Sequence, residues 1–240
     1  MDTIKKRRRR GVNQMNKTNM SLVFLAILSL MLVPFAIAQP TGGNVTVVGN
    51  SETGTGTSSE TVGIEGGNVT NVNVSGTSIT GRWAGFYGNI SGGVKLTDSV
   101  ANSFYEWTVS DMTGAVVYAT NTTVADWTGA NIAPATYAQM PSYVVGDVTD
   151  TYNATFTASE LFTSSSLSEA NTNFTNTWQN GAQGTLRTYS LYSAADNAII
   201  FAGKAQNDVN SFKGTNTTDY QILVPATSAV SNYNFYLELP

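Results

Sequence analysis

Hydrophobic alternation with a period of two recurs from residue 68 almost to the last residue, and that period decides what the chain can fold into. Successive side chains of a strand point to opposite faces, so alternation marks a half-buried strand; a helix requires spacings of three and four. Residues 82–89 are strand-like, and Val94 and Leu96 alternate in the next segment. Across residues 103–110, Tyr105, Trp107 and Val109 share a face opposite Phe104, Glu106 and Thr108. Asp111-Met112-Thr113-Gly114 reads as a turn into a strand over residues 115–120. Further strands are expected over residues 152–157, 186–192, 198–202, 220–224 and 233–239. In the last of these, Tyr233, Phe235, Leu237 and Leu239 oppose Asn234, Tyr236 and Glu238. Only residues 159–170 offer helix formers, and the serines at 164–166 weaken that reading. Short strands, 10% aromatic residues and Gly-rich turns predict an all-β fold, a single β-sandwich or jelly-roll-like domain over residues 66–240.

The first 38 residues read as a leader. Lys5, Lys6 and Arg7 to Arg10 form a basic start, residues 22–33 an uncharged apolar run, and Pro34 ends it. Ala36-Ile37-Ala38 then supplies a signal-peptidase site, so residues 1–38 are expected to be a cleaved signal peptide. Residues 20–38 carry no charge, so the alternative is an uncleaved anchor, and membrane contact is expected only through that leader. Residues 39–65 follow as a flexible strand-plus-linker. Gly42-Gly43-Asn44-Val45-Thr46-Val47-Val48 reads as a short β segment, and residues 49–63, rich in Gly, Ser and Thr, as a tether. Gly66-Gly67-Asn68-Val69-Thr70 repeats Gly42 to Thr46 and continues into Val72 and Val74. Either the repeat is chance in so Gly- and Thr-rich a chain, or two related strands can occupy equivalent sheet positions.

Charge and composition exclude several functions. Residues 39–240 hold five basic residues, Arg82, Lys95, Arg187, Lys204 and Lys213, against fifteen acidic ones, a formal charge of −10. A face that reads phosphates must be basic, so no nucleic-acid partner is expected. The chain has no Cys and no His, which removes disulfides, thiolate and imidazole zinc sites, and Ser-His-Asp or Cys-His catalysis. No cofactor, metal site or catalytic residue is expected, and the chain does not read as an enzyme.

The remaining candidates are surface features. Asn44, Asn68, Asn73, Asn89, Asn121, Asn153, Asn173 and Asn216 fit the N-x-Ser/Thr acceptor, so N-linked glycans are candidate modifications, with Asn73 and Asn89 least accessible in apparent strands. Trp83 and Tyr87 share a strand face across Gly85, which suits either sugar stacking or coverage of a small gap in a sheet core. The second option places Trp83, and Trp107 with it, in the core. Asp147-Val148-Thr149-Asp150 lacks the spaced carboxylates of a calcium loop. Glu160 and Glu169 have no sequence feature that brings them together as acid and base, and Lys204 with a nearby Ser is a weak dyad.

At Gly67-Asn68-Val69-Thr70, the stretch from Trp83-Ala84-Gly85-Phe86-Tyr87-Gly88-Asn89-Ile90-Ser91-Gly92 to Gly93, Phe104-Tyr105-Glu106-Trp107 and the closing Tyr233 to Leu239, the chain resembles a group of uncharacterised archaeal secreted surface proteins. The resemblance covers about residues 66–240 and implies a cell-envelope location with no known activity.

The sequence therefore reads as a secreted cell-surface structural protein, a filament or surface-lattice subunit. Self-association into a homopolymer would come from donor-strand addition by Val45, Val47 and Val48. The alternative is a carbohydrate- or partner-binding adhesion module using Trp83 and Tyr87. The leader reading predicts that the exported protein begins at Gln39. Intact-mass analysis of native material checks this, and retention of residues 20–38 in a membrane fraction would make the protein an anchored one.

Overall fold

The computed structural model describes residues 39–49, 51–63, 65–146, 149–227 and 229–240, so the expected leader, residues 1–38, lies outside the described residues. The fold is all-β, as the alternation predicts. Its main sheet has eight strands in the order β1-β14-β5-β10-β9-β8-β7, with β6 also paired to β9. These are β1 (Thr41–Gly42), β5 (Val116–Thr120), β6 (Ile132–Pro134), β7 (Ala158–Thr163), β8 (Ser168–Gln179), β9 (Ala182–Ser193), β10 (Ala198–Lys204) and β14 (Asn234–Glu238). Every one of these pairings is antiparallel. Three two-stranded sheets complete the fold: β2 (Trp83–Gly88) with β13 (Tyr220–Pro225), β3 (Gly93–Thr97) with β4 (Ser103–Thr108), and β11 (Val209–Asn210) with β12 (Thr217–Thr218).

Both faces of the main sheet are covered. Val116 and Tyr118 of β5 and Ile200 and Ala202 of β10 face one core, which Trp127, Ile132, Phe162 and Leu167 close. Val117 and Ala119 of β5 and Ile199 and Phe201 of β10 face a second core. Ile222 and Val224 of β13, with Met140, Val144, Tyr152 and Phe156 from the connection between β6 and β7, close that side. Alternation in β5 and β10 thus separates two apolar sets, not an apolar from a polar one. The β2–β13 pair approaches the main sheet closely at Gly203, where a Cβ atom would lie 2.7 Å from Ile222 Cγ1.

Turn chemistry fixes the long hairpins. Asn180 and Gly181 have φ of 48° and 78° between β8 and β9, the left-handed pair that a two-residue hairpin turn requires. Ser164 Oγ accepts from Ser166 N at 3.3 Å and Leu167 N at 3.1 Å, so the serine run makes the β7–β8 turn. The helix expected over residues 159–170 is therefore two strands with that turn between them. Residues 152–157 are not a strand either; Tyr152–Thr155 is one helical turn. Tyr152 and Phe156 stack with ring centroids 5.0 Å apart, and an i, i+4 pair shares a face under either period, so alternation could not choose.

The N-terminal region departs most from expectation. No strand occurs between Gly42 and Trp83 among the described residues, so neither Asn44 to Val48 nor the second repeat at Gly66 to Thr70 is paired in a sheet. Val69 and Val74 are about as exposed as side chains can be, at 102% and 90%. The alternation there is present, but these residues pack against no core. Thr57 and Thr77 tie the connection to itself, with Thr57 N donating to Thr77 O at 3.0 Å, and Lys213 pairs with Glu52 at 2.9 Å.

Replacing Gly203 by Val should destabilise the fold by about 1–3 kcal/mol, because Ile222 is fully buried and cannot move aside freely. Chemical denaturation checks this against Gly42→Ala, where a Cβ meets nothing within 4 Å and little change is expected.

A candidate assembly surface

Strand β14 has both faces committed and one edge almost free. Its Glu238 carboxylate is buried, accepting from Tyr118 Oη at 2.5 Å and from Ser166 N at 2.6 Å. Burial, and then the Glu238 charge, push the Tyr118 phenol far above its usual range. Phe235 and Leu237 pack on the second core. All five residues of β14 pair with β5, from Asn234 opposite Thr120 to Glu238 opposite Val116. On the other edge the only partner among the described residues is β1, with Thr41 opposite Leu237 and Gly42 opposite Tyr236. Gly43 N adds one bond to Phe235 O at 3.0 Å. A groove of about 430 Å³ continues along this edge, lined by Gly42, Gly43, Val45, Tyr233, Asn234, Phe235 and Tyr236.

The predicted donor residues divide at this groove. Val45 lines it at 54% exposure, whereas Val47 and Val48 point into solvent at 81% and 94%. The paired segment is Thr41–Gly42, at the front of the expected Gly42 to Val48 strand, and residues 44–48 form no strand.

The opposite edge of the main sheet is built differently. The β7–β8 pairing shifts register between Glu160 and Phe162, where the extra residue lies on β8 and Asn171 has a φ of 56°. Arg187 Nη1 donates to both Glu160 carboxylate oxygens at 2.6 Å, and Tyr189 Oη donates to Oε1. Burial alone would raise the Glu160 carboxyl, but the Tyr189 and Arg187 hydrogen bonds and the Arg187 and Lys204 charges outweigh it and hold it below its usual value. Burial and the Glu160 hydrogen bond push Tyr189 up to about 12. Desolvation lowers Lys204, whose Nζ donates to Thr163 Oγ1 at 3.0 Å. Glu160 is thus an ion-pair partner, and the neighbour of Lys204 is a Thr in place of the Ser considered for a dyad.

The aromatic pair Trp83 and Tyr87 does not form one platform. Trp83 packs against the second core, its Nε1 donating to Asp150 O at 2.7 Å and its ring 5.9 Å from Phe156. Tyr87 sits edge-on to Phe212 at 5.0 Å. Trp107 is not a core residue; it is half exposed on the β3–β4 hairpin. Asp150 pairs with Arg82 at 3.4 Å, while Asp147 and Val148 lie outside the described residues, and the described residues hold no cluster of three or more acidic side chains able to ligate a metal.

The eight sequons divide by exposure. Asn44, Asn68, Asn73, Asn89, Asn121, Asn153 and Asn216 are exposed. Asn173, in the middle of β8, is half-buried and donates from Nδ2 to Tyr152 Oη at 3.3 Å. Asn73 and Asn89 are therefore open, since neither lies within a strand, and Asn173 is the obstructed site. No helix among the described residues is long and apolar enough to cross a membrane. No family model, curated protein or solved structure matches the chain.

The Glu160 cluster has a testable pH signature. A carboxyl held below its unfolded value contributes stability above that value, near 4.5, and loses it as pH falls through the lower folded value. Glu160→Gln should reduce the fall in melting temperature between about pH 5 and pH 3 relative to the parent, in parallel scans at constant ionic strength.

Proposed function

We propose that the chain is a secreted structural subunit of a cell surface that self-assembles when its N-terminal segment adds to the β14 edge of another copy. The observation that carries this reading is the mismatch between a full-length sheet edge and the two-residue strand that caps it. That strand is borne on 40 residues, 43–82, that contain no strand among the described residues. A polar Gly/Ser/Thr tether of that length has a root-mean-square reach of about 35 Å, enough to span to a neighbour.

Exchange of β1 between copies has little intrinsic cost, because the same few backbone bonds form in either partner. A longer pairing in the neighbour's groove adds to it. If Val45 and Val47 became buried there, each would contribute about 1.5–3 kcal/mol. Strand addition supplies affinity through the backbone and specificity through alternate side chains. The outer edge of β14, which among the described strands is met only by Thr41 and Gly42, supports its role as acceptor. Head-to-tail donation does not close on itself, so the product is a filament unless the rotation closes a ring. The exposed sequons are consistent with a glycan-coated surface, and the resemblance to archaeal surface proteins points the same way. The adhesion alternative loses its original support, because Trp83 and Tyr87 have separate partners.

Removing residues 39–49 should leave the melting temperature within a few degrees of the parent, since Pro40 is the one buried residue of that segment and the two main cores lie elsewhere. The same removal should abolish filaments or rings seen by electron microscopy of the mature protein. A full-length mature chain that stays monomeric at every accessible concentration would sink the reading.

A further inference from the structure

The β3–β4 hairpin presents an apolar face that no core cluster among the described residues covers. Directly paired residues of antiparallel strands project to the same side. Val94 pairs with Trp107 and Leu96 with Tyr105, so these four side chains form one face. Lys95 pairs with Glu106 on the other, where Nζ and Oε1 form an ion pair at 2.8 Å. The apolar four are 50–56% exposed, and none belongs to a core cluster. At the root of the hairpin, Ile90 and Val109 pack on the small cluster of Met112, Ala115 and Ala205. Its tip is tied by Asp98, whose carboxylate accepts from Asn102 Nδ2 at 2.8 Å and Asn102 N at 2.8 Å. A two-stranded hairpin with one open apolar face is marginal in water and gains stability when that face packs against another layer.

We infer that this face pairs with the same face of a second copy, the two hairpins stacking as layers about a two-fold axis parallel to the strands. The face is self-complementary in the way such an interface requires. One strand carries the large side chains, Tyr105 and Trp107, whose rings are 4.8 Å apart; the other carries the smaller Val94 and Leu96. The two-fold operation lays Trp107 over Val94 of the second copy and Tyr105 over its Leu96. Large then meets small in both directions, and each Lys95–Glu106 ion pair stays in water. The apolar face holds no charge, so two acidic chains can meet there without placing like charges in contact.

Area sets the strength of the contact. At roughly 150–250 Å² for a whole aromatic side chain, the half-exposed Tyr105 and Trp107 leave about 200 Å² open. Val94 and Leu96 enlarge the patch to about 300 Å² per copy, at the lower end of the largest patches on ordinary monomers. Two copies bury about 600 Å², well below the roughly 1,200 Å² of a stable interface. The pairing is therefore weak between free chains and becomes effective where copies are already held together, since a tether converts the second contact into an intramolecular one. The inference goes beyond strand addition and does not depend on it.

The test uses the mature chain carrying Gly43→Pro, which lacks the N–H that bonds Phe235 O and so weakens strand addition. Sedimentation equilibrium up to about millimolar concentration should show a reversible monomer–dimer equilibrium. Trp107→Thr should weaken it at least about tenfold, as expected for truncating a central aromatic, with the melting temperature kept. The swap Val94→Trp with Trp107→Val preserves large-on-small complementarity and should restore dimerisation. A parent that remains monomeric throughout, or a dimer indifferent to Trp107→Thr, overturns the inference. So does a swap that fails to dimerise while the parent's Tyr105–Trp107 pair binds an oligosaccharide; the face is then a sugar platform. Failure of strand addition is read separately, as loss of filaments in the chain with Gly43 intact.

Discussion

Everything else in the molecule depends on a pair of strands, β5 and β10, that are buried on both faces. Five consecutive residues of β5, Val116 to Thr120, are buried, as are Ala198 to Gly203 of β10. Their backbone groups pair with each other and with β14 and β9, so the interior polar groups are satisfied by the ladder. A strand placed this way needs a cover on each side, and the two covers differ. One side receives a small sheet, β2 with β13; the other receives loop side chains such as Trp127 and Leu167. Gly203 is the position where lack of a side chain lets the small sheet come close.

That demand explains why the surface has two incompletely used elements. Strand β14 is recruited to extend the sheet beyond β5 and is locked there through Glu238, Tyr118 and Ser166, but among the described residues only the two-residue β1 lies beyond it. The β3–β4 hairpin leaves the core at Ile90 and Val109 and carries its apolar face away from both covers. A free edge and an uncovered face are the two features a β protein usually protects from other chains. Here β14 pairs with β5 without a register shift, and the hairpin's charges are on the face opposite Tyr105 and Trp107.

Electrostatics narrows how such a chain could associate. Four of the five basic residues in residues 39–240 are engaged in ion pairs, and the fifth, Lys204, lies 5.5 Å from the centre of the Phe162 ring. Exposed acidic residues outside these pairs, such as Glu60, Glu65, Asp98 and Asp126, set copies against one another at a distance. Contacts between copies must be made by backbone groups and apolar side chains, which are the chemistries of the β14 edge and of the hairpin face. Exposed ion pairs such as Lys95–Glu106 add little to stability and serve to keep one face of the hairpin wet.

The sequence by itself determined the secondary structure wherever alternation was long and bounded by turn residues: the strands at 83–88, 93–97, 103–108, 116–120, 198–204, 220–225 and 234–238 were legible from period and punctuation. It also determined what chemistry is missing, since a chain without Cys or His cannot hold a thiolate or an imidazole in any fold. Local hydrogen bonding defeated it at Ser164, whose hydroxyl turns the chain where composition suggested a helix, and a shared i, i+4 face left Tyr152 and Phe156 undecided. Asn180-Gly181 was a readable hairpin signal that marks the longest pair of strands. Burial was decided only by the tertiary structure. Alternation states that two faces differ, but not whether either has a layer to pack against. Trp83 and Trp107 sit in similar strand patterns, yet Trp83 meets Phe156 and Asp150 across the sandwich while Trp107 meets solvent. The valines at 45–48 and 69–74 likewise alternate without a sheet to join, because long-range pairing depends on which edges remain open once the central strands have chosen their neighbours.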